Sequence, residues 1–307
     1  MKSERLLFIG STKQGFEVLK CIAEVIPDIL VGCVSIDDTS DSRSVYDRFQ
    51  GYCQNKNYPL ITLSGKCDLT ETIEKYQPDL CLVVGWYYFI SKTVRDMVKY
   101  GFIGVHNSLL PSYRGLAPVV WAIINGERET GFSVFSLDDG IDNGKLWYQE
   151  KVAIYDDDYV ENILLRIEER VVDFFRKSIL DLVEGRIEAK NQSDKDISYG
   201  AKRSEKDGHI EWCWNAKKIF NFVRAQSHPY PGAYTYYQEN MYKIWSIDVF
   251  PFVVYGIPGQ PIIIEKDRGS VVVCCGENTA VRINKMDMGT EQVPAYQIVS
   301  SLKDRLY

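Results

Sequence analysis

Residues 79–106, DLCLVVGWYYFISKTVRDMVKYGFIGVH, decide the fold class because they predict a strand, a helix and a second strand in succession. The first strand, residues 79–85, is apolar without interruption, which is typical of a strand covered on both faces. Ser91 can cap a helix that runs to Tyr100, and residues 102–106 form the second strand. A strand–helix–strand unit of this kind favours an α/β fold with a mainly parallel sheet.

The same alternation extends on both sides of this unit. Towards the N-terminus, apolar runs predict strands at residues 5–9, 29–36 and 59–63, with helical spacing between them. Towards the C-terminus we expect strands at 131–137 and 146–154, then a long amphipathic helix at 159–184, and the polar residues 186–209 predict a linker. The sequence therefore predicts a Rossmann-like domain over residues 1–203, and ligands bind such sheets at the carboxyl ends of their strands.

Residues 204–307 have a different pattern, in which short strands rich in Tyr, Ile and Val alternate with Gly and Pro turns. One helix, at about 216–225, precedes the strands. This pattern predicts a second domain that is an open, OB-like β-barrel. The strands are expected at residues 233–237, 242–249, 261–265, 270–275 and 280–286.

Charge and composition exclude several classes of function. The net charge is −6, and residues 201–307 carry 13 basic against 11 acidic side chains, so neither half has the positive excess that binding to nucleic-acid phosphates needs. Only three His are present and no C-x-x-C pair, so no metal site is expected. The sequence has no apolar run of about 18 residues and no secretory leader, which predicts a cytoplasmic protein without a membrane partner.

The segment after the second strand carries the candidate chemistry. Residues 104–115 read GVHNSLLPSYRG, and an Asp-rich turn follows at 138–144. The strand places His106 at the edge of the sheet, where the turn can bring a carboxylate to it. A His oriented by a carboxylate can move a proton at neutral pH. From the residues alone, a His at a strand end is more often a structural residue than a catalytic one, and Asp142 can be an ordinary turn residue.

The order of these residues resembles the N10-formyltetrahydrofolate-dependent formyltransferases. The similarity extends through Ala117-Pro118, Gly126-Glu127 and Thr130-Gly131 to Asp142 and Gly144. In the C-terminal half, residues 210–212, 223–225 and 229–234 are similar to the second domain of two members. These are the sugar-nucleotide N-formyltransferases and methionyl-tRNA formyltransferase.

The resemblance implies a co-substrate and a set of site residues. N10-formyltetrahydrofolate is the expected formyl donor, with His106 carrying the proton transfers and Asp142 orienting it. The expected folate-binding residues are Gly85, Trp86, Tyr87 and Tyr88, together with the turn Leu137, Asp138, Asp139 and Gly140. The expected substrate-binding residues are Ser108, Leu109, Pro111, Tyr113, Arg114 and Gly115.

One position departs from the family pattern. The family has a catalytic Asn two residues before the His, and this chain has Gly104 there. An Asn at 104 would share the strand face of His106 and could donate to the developing oxyanion, a contribution of about 10²–10³ in rate. Asn107 is the candidate replacement in the catalytic set, although on an ideal strand it points to the opposite face.

The acceptor is predicted from what distinguishes the family members. Residues 37–44 form an acidic loop where a tRNA enzyme would carry basic residues, and the second domain is absent from the glycinamide ribonucleotide enzymes. We therefore expect an amino-sugar nucleotide as acceptor, with methionyl-tRNA as the alternative. A folate-binding protein without turnover, or a 10-formyltetrahydrofolate hydrolase, is the alternative of another class because of Gly104. A homodimer is one possible assembly.

Overall fold

The structure, a computed structural model, describes residues 2–41, 43–63, 68–287, 289 and 291–307. Ser42, within the acidic loop 37–44, lies outside the described residues. The chain divides into two compact units, and both are discontinuous along the sequence. The first unit comprises Met1–Gly115, Thr130–Val152 and Leu165–Tyr199, and the second comprises Leu116–Glu129, Ala153–Leu164 and Gly200–Tyr307.

Strands and helices alternate through the first half of the chain, and strands predominate in the second. The strands of the described residues are β1 Leu6–Gly10, β2 Leu30–Ile36, β3 Leu60–Leu63, β4 Leu80–Val84, β5 Phe102–His106, β6 Arg114–Gly115, β7 Glu129–Ser136, β8 Leu146–Ala153, β9 Tyr199–Gly200, β10 Ala233–Tyr237, β11 Asn240–Phe250, β12 Pro261–Glu265, β13 Ser270–Cys274, β14 Ala280–Asp287 and β15 Val293–Pro294. The helices are α1 Lys13–Val25, α2 Tyr46–Lys56, α3 Thr70–Tyr76, α4 Lys92–Arg95, α5 Pro118–Ile124, α6 Val160–Val183, α7 Ala216–Gln226 and α8 Ala295–Ile298, with a 3₁₀ turn at Glu205–Gly208.

The first unit is built on a seven-stranded sheet with the order β3-β2-β1-β4-β5-β7-β8. The pairs from β3 to β5 are parallel, and β5 pairs with β7 in the antiparallel direction. All five residues of β1 and of β4 are buried, as expected for central strands with both faces covered. The predicted Rossmann-like, mainly parallel fold is confirmed, and β1, β4 and β5 end at the same edge of the sheet.

The second unit contains an antiparallel sheet with the order β10-β11-β14-β13-β12, and β15 pairs with β14. Helix α7 packs against β11 and β14, and Phe222 and Val223 of this helix belong to the buried core of the unit. Helix α5 packs against α7 within the same unit. The predicted C-terminal antiparallel domain is confirmed, whereas closure of its sheet into an OB-like barrel stays a prediction.

Three local expectations differ from the structure. The helix that Ser91 caps ends at Arg95 and does not reach Tyr100, because the next amides bond three residues back, Met97 to Val94 and Val98 to Arg95, as in tight turns. Helix α5 lies in a stretch that the apolar spacing left unassigned. The predicted linker at 186–209 contributes residues to both units. Among the described residues, no helix combines the length and apolar character needed to cross a membrane.

Candidate active site

Strand β5 delivers His106 to the edge of the sheet in the first unit. It lies between β4 and β7, and His106 is opposite Ser133 of β7. The side chain is buried, with 9% of the residue exposed, and the edge of its ring meets Phe135 at 6.3 Å between ring centroids. Burial and the contact with Phe135 therefore hold the imidazole of His106 in place at the end of β5.

Each nitrogen of the His106 ring faces an oxygen atom. Nε2 lies 2.8 Å from the carbonyl oxygen of Tyr113, and because a carbonyl only accepts, Nε2 carries a proton and donates it. Nδ1 lies 3.6 Å from Oδ2 of Asp142. The same Oδ2 accepts a hydrogen bond from the backbone N–H of Gly115 at 2.7 Å. The structure thus brings together four of the predicted site residues around one imidazole.

The backbone of the Asp142 turn is in an uncommon conformation. Asp142 has φ +47°, in the left-handed region that few residues other than Gly adopt. Gly144 completes the turn, where a Cβ atom would lie 1.8 Å from the carbonyl oxygen of Ser136, so no larger residue fits. The Gln192 side-chain amide donates to the carbonyl oxygens of Asp142 and Gly144, at 2.7 and 2.8 Å.

Arg114 is turned into the first unit and is only 8% exposed. Its Nε and Nη2 both donate to Oε1 of Gln192, at 3.2 and 2.6 Å. The guanidinium group of Arg114 is therefore already bound to Gln192, which in turn holds the Asp142 turn. A substrate-binding role for Arg114 stays a prediction. Gln192 lies 50 residues from Asp142, in a polar stretch without a motif, so its position in the site could not be predicted from the sequence.

Ser108, Leu109 and Pro111 belong to a loop that side chains of β7 and β8 hold in place. The hydroxyl of Ser108 donates to the carbonyl of Ser112 at 2.6 Å, which closes the loop on itself. Ser133 accepts from the amide of Leu110 and donates to the carbonyl of Ser108, at 3.1 and 2.7 Å.

Gln149 donates to the carbonyl of Leu110 at 2.8 Å and to Ser133 at 2.9 Å. Ser133 is a fully buried hydroxyl inside an apolar strand, and the sequence analysis did not identify it or Gln149. Both take part in shaping the predicted substrate loop. A lone polar residue in the middle of an otherwise apolar strand is the signal that could have identified Ser133.

Asn107 makes its contacts away from His106. Its side-chain amide exchanges two hydrogen bonds with the amide of Gln14, at 3.1 and 3.2 Å. Gln14 lies in the first turn of α1, close to the end of β1. Strand alternation predicts this arrangement, since neighbouring residues point to opposite faces. The two amides bond to each other and not to the imidazole, so the predicted oxyanion role of Asn107 would need a rearranged pair.

The space beside Gly104 is filled by hydrocarbon. A Cβ atom at this position would lie 2.6 Å from Cδ1 of Leu137 and 3.2 Å from Cε1 of Phe135. Leu137 packs against the buried cluster on that face of the sheet. An Asn at 104 would therefore have to displace Leu137 before it could face the reacting groups.

The first predicted folate segment follows β4. Gly85 has φ +63°, and a Cβ atom there would overlap Oγ1 of Thr12 at 1.8 Å, so this position requires Gly. Trp86 packs against the core with its ring, while its buried Nε1–H has no hydrogen-bond partner among the described residues. Tyr87 and Tyr88 are 61% and 41% exposed. The segment thus offers an unused donor next to two accessible aromatic rings.

The second predicted folate segment is the turn that follows β7. The amide of Leu137 donates to the carbonyl of Phe102 at 2.9 Å, which continues the β5–β7 pairing. Asp138, Asp139 and Gly140 are exposed. The carboxylate of Asp139 pairs with the buried guanidinium of Arg95, which also donates to the carbonyl of Ile90 at 3.0 Å.

In a mainly parallel sheet, β5 thus ends at a buried His that faces a half-buried carboxylate, an arrangement suited to moving protons. The chain matches the family described as Formyl transferase over residues 38–179, and the one described as Formyl transferase, C-terminal domain, over residues 202–303. It is 32% identical over 285 residues to the methionyl-tRNA formyltransferase of Caldanaerobacter subterraneus subsp. tengcongensis, which covers 91% of this chain and 90% of that protein. The chain belongs to the formyltransferase family.

Solved structures share the fold along most of the chain. An N-formyltransferase from Helicobacter canadensis, solved with folinic acid and dTDP-3-aminofucose, has a TM-score of 0.68 at 19% identity and covers 92% of this chain and 99% of that one. HypX from Aquifex aeolicus, solved with tetrahydrofolic acid, has a TM-score of 0.63 at 18% identity and covers 97% of this chain and 47% of that one. The family confirms the predicted enzyme class and N10-formyltetrahydrofolate as the formyl donor.

Proposed function

We propose that this protein transfers the formyl group of N10-formyltetrahydrofolate to the amine of an amino-sugar nucleotide. The observation that carries the catalytic part is the buried His106, held between the Tyr113 carbonyl and the Asp142 carboxylate. The two oxygens fix the ring plane, and Nε2 becomes the site of proton transfer when it leaves the Tyr113 carbonyl. His is the side chain best suited to such a transfer near neutral pH.

In this reaction each residue has a separate task. The bound folate supplies the formyl group. For this transfer Nε2 leaves the Tyr113 carbonyl and carries no proton, while Nδ1–H faces Asp142. Nε2 then accepts the proton that the attacking amine loses and gives it to the departing nitrogen. Asp142 stabilises the charged ring while that proton is held, in the same way as the carboxylate of a hydrolase triad. Gly115, through its backbone N–H, keeps the carboxylate oxygen aimed at Nδ1.

The residues predicted to hold the folate fit that group in two respects. Within the part of the chain that the structure describes, the buried N–H of Trp86 has no partner, and an unpaired buried donor is costly unless a ligand accepts from it. A pterin ring carries acceptors suited to such a donor and an aromatic face suited to Tyr87 and Tyr88, which are exposed. Gly85 allows close approach of the backbone, and Asp138 is exposed on the second segment.

The acidic loop 37–44 supports a small acceptor over tRNA. Its one basic residue, Arg43, forms an ion pair with Asp41 at 2.7 Å, and hydrogen bonds from the Arg43 guanidinium lower the pKa of Asp41 to about 2. A carboxylate that stays ionised at every physiological pH beside this arginine opposes contact with nucleic-acid phosphates. The Helicobacter canadensis enzyme, which shares the fold, was solved with an amino-sugar nucleotide.

Methionyl-tRNA is the second candidate acceptor. It is supported by the 32% identity to a methionyl-tRNA formyltransferase along 91% of the chain, a closer sequence relationship than the 18–19% to the solved enzymes above. A folate-binding protein or a hydrolase is the third candidate, supported by the hydrocarbon beside Gly104 where the family has an amide. The cytoplasmic location and a homodimer also stay predictions.

One assay separates these candidates. The loss of 10-formyltetrahydrofolate is followed with no acceptor, with a set of dTDP- and UDP-linked amino sugars, and with initiator methionyl-tRNA. We expect loss only with an amino-sugar nucleotide, together with a formylated product. Transfer to the tRNA alone would overturn the acceptor assignment. Loss without acceptor would identify a hydrolase, and tight folate binding without loss in any mixture would identify a binding protein.

A further inference from the structure

We propose that Gln192 is a positioning residue, which holds Asp142 in the orientation that its contact with His106 requires. This inference rests on the proposed function of the His106–Asp142 pair. Gln192 lies beyond α6, in the polar segment that looked like a linker, and it belongs to the first unit, as do both residues of the pair. Gln192 contacts the turn and Arg114 but not the imidazole, so it acts on His106 through Asp142.

The amide of Gln192 joins two parts of the site through four hydrogen bonds. Its nitrogen donates to the carbonyl oxygens of Asp142 and Gly144, at 2.7 and 2.8 Å. Its oxygen accepts from Nε and Nη2 of Arg114, at 3.2 and 2.6 Å. Carbonyls only accept and a guanidinium only donates, so the orientation of the amide is fixed by its partners.

These hydrogen bonds hold a turn whose backbone conformation at Asp142 is energetically unfavourable. Asp142 has φ +47°, and a non-Gly residue persists in this conformation only where its surroundings hold it. Two contacts do so: Gly115 binds the carboxylate, and Gln192 binds the carbonyl of the same residue. With the Gln192 bonds removed, the turn can relax to a commoner conformation and carry the carboxylate away from Nδ1.

Only an amide satisfies both ends of this bridge. A Glu at 192 would pair with Arg114 more strongly, because a carboxylate binds a guanidinium well. The same Glu would place a negative oxygen against the carbonyls of Asp142 and Gly144, which have no proton to offer. An aliphatic residue would leave a buried guanidinium and two carbonyls without their partner.

The test compares Gln192→Glu with Asn191→Asp in the full-length protein. Both replace an amide by a carboxylate at neighbouring positions, but Asn191 is exposed. A displacement of about 1 Å at a catalytic group can cost about 10²-fold in rate. We expect Gln192→Glu to lower kcat by about that factor with KM for the formyl donor changed less than about threefold, and Asn191→Asp to match the wild type. Equal activity of both variants would overturn the proposal.

A double variant separates positioning from a general structural role. If Gln192 acts through Asp142, its substitution costs little further once Asp142→Asn has removed the charge, because residues that act as a unit are strongly non-additive. Losses that multiply in full would show that Gln192 merely stabilises the fold.

Crystal structures of the wild type and Gln192→Glu test the inference without turnover. We expect the Nδ1–Oδ2 separation, 3.6 Å in the wild type, to lengthen in the variant. An unchanged separation would refute positioning by Gln192. A wild type without transfer to any acceptor would instead refute the proposed function, and this structural comparison would still decide the role of Gln192.

Discussion

Adding a side chain at position 104 sets two effects of known size against each other. In Gly104→Ala, the new Cβ atom lies 2.6 Å from Cδ1 of Leu137, a distance that forces this side chain to move. Overpacking of a filled core costs about 1–3 kcal/mol, so we expect the free energy of unfolding to fall by that amount. The alanine brings no donor, and kcat should change little.

Gly104→Asn brings the same crowding and, in addition, an amide on the strand face of His106. A donor to the developing negative charge is worth about 10²–10³ in kcat. We therefore expect Asn to lower stability as Ala does and to raise kcat, provided that Leu137 yields its space. In the double variant with Leu137→Val, which shortens the obstructing side chain, stability should be partly recovered and the gain in kcat kept.

The assay combines urea unfolding with turnover at saturating donor and acceptor. Gly104→Ala is the matched control, because it separates the effect of bulk from that of the amide. Wild-type stability of the alanine variant would refute the claim that Leu137 fills this space. If Asn lowered stability but left kcat unchanged even in the double variant, a donor at 104 would not reach the reacting oxygen, and the proposed geometry would be wrong.

Three further substitutions test the assigned roles. His106→Asn should lower kcat by about 10²–10⁴-fold, the usual value of acid–base catalysis, with folate affinity nearly intact by calorimetry; retention of a tenth of the activity would contradict this. Asp142→Asn tolerates the left-handed conformation but lacks the charge beside Nδ1, so we expect a lower kcat and an altered pH–rate profile, whereas a normal rate and profile would make Asp142 a turn residue only. Trp86→Phe removes the unpaired N–H and should weaken folate binding by about 1–3 kcal/mol without lowering kcat at saturation; unchanged binding would exclude Trp86 as a donor.

The parallel sheet could be predicted from the sequence because its central strands are buried on both faces. Unbroken apolar runs such as residues 80–84 and 102–105 carry that information locally. Helix α5 was missed because it spans only seven residues, PVVWAII, which are apolar without a break and so show no helical spacing. The short α4 was overestimated because a good cap predicts where a helix begins, not where it ends.

The site was predictable where its chemistry lies in one contiguous motif. The motif at residues 104–115 and the Asp-rich turn predict His106 and Asp142 as site residues. The alternation of side chains along a strand predicts that Asn107 points away from His106. Gln192 and Gln149 could not be found in this way, because the backbone carbonyls and side chains that they bind belong to residues distant in sequence. Such contacts place no constraint on neighbouring residue types, so they leave no local pattern. The packing of Leu137 against Gly104 is likewise a property of the folded sheet.

The discontinuity of the two units has a consequence for how the chain is made. Helix α5 leaves the ribosome with the first unit but packs against α7, which begins about 90 residues later. Chains are synthesised at about 5–20 residues per second, so the apolar residues of α5 stay without α7 for roughly 5–20 s. Nascent chains are therefore exposed to chaperone binding at α5, and a hybrid of two relatives joined at residue 203 would combine α5 and α7 from different parents.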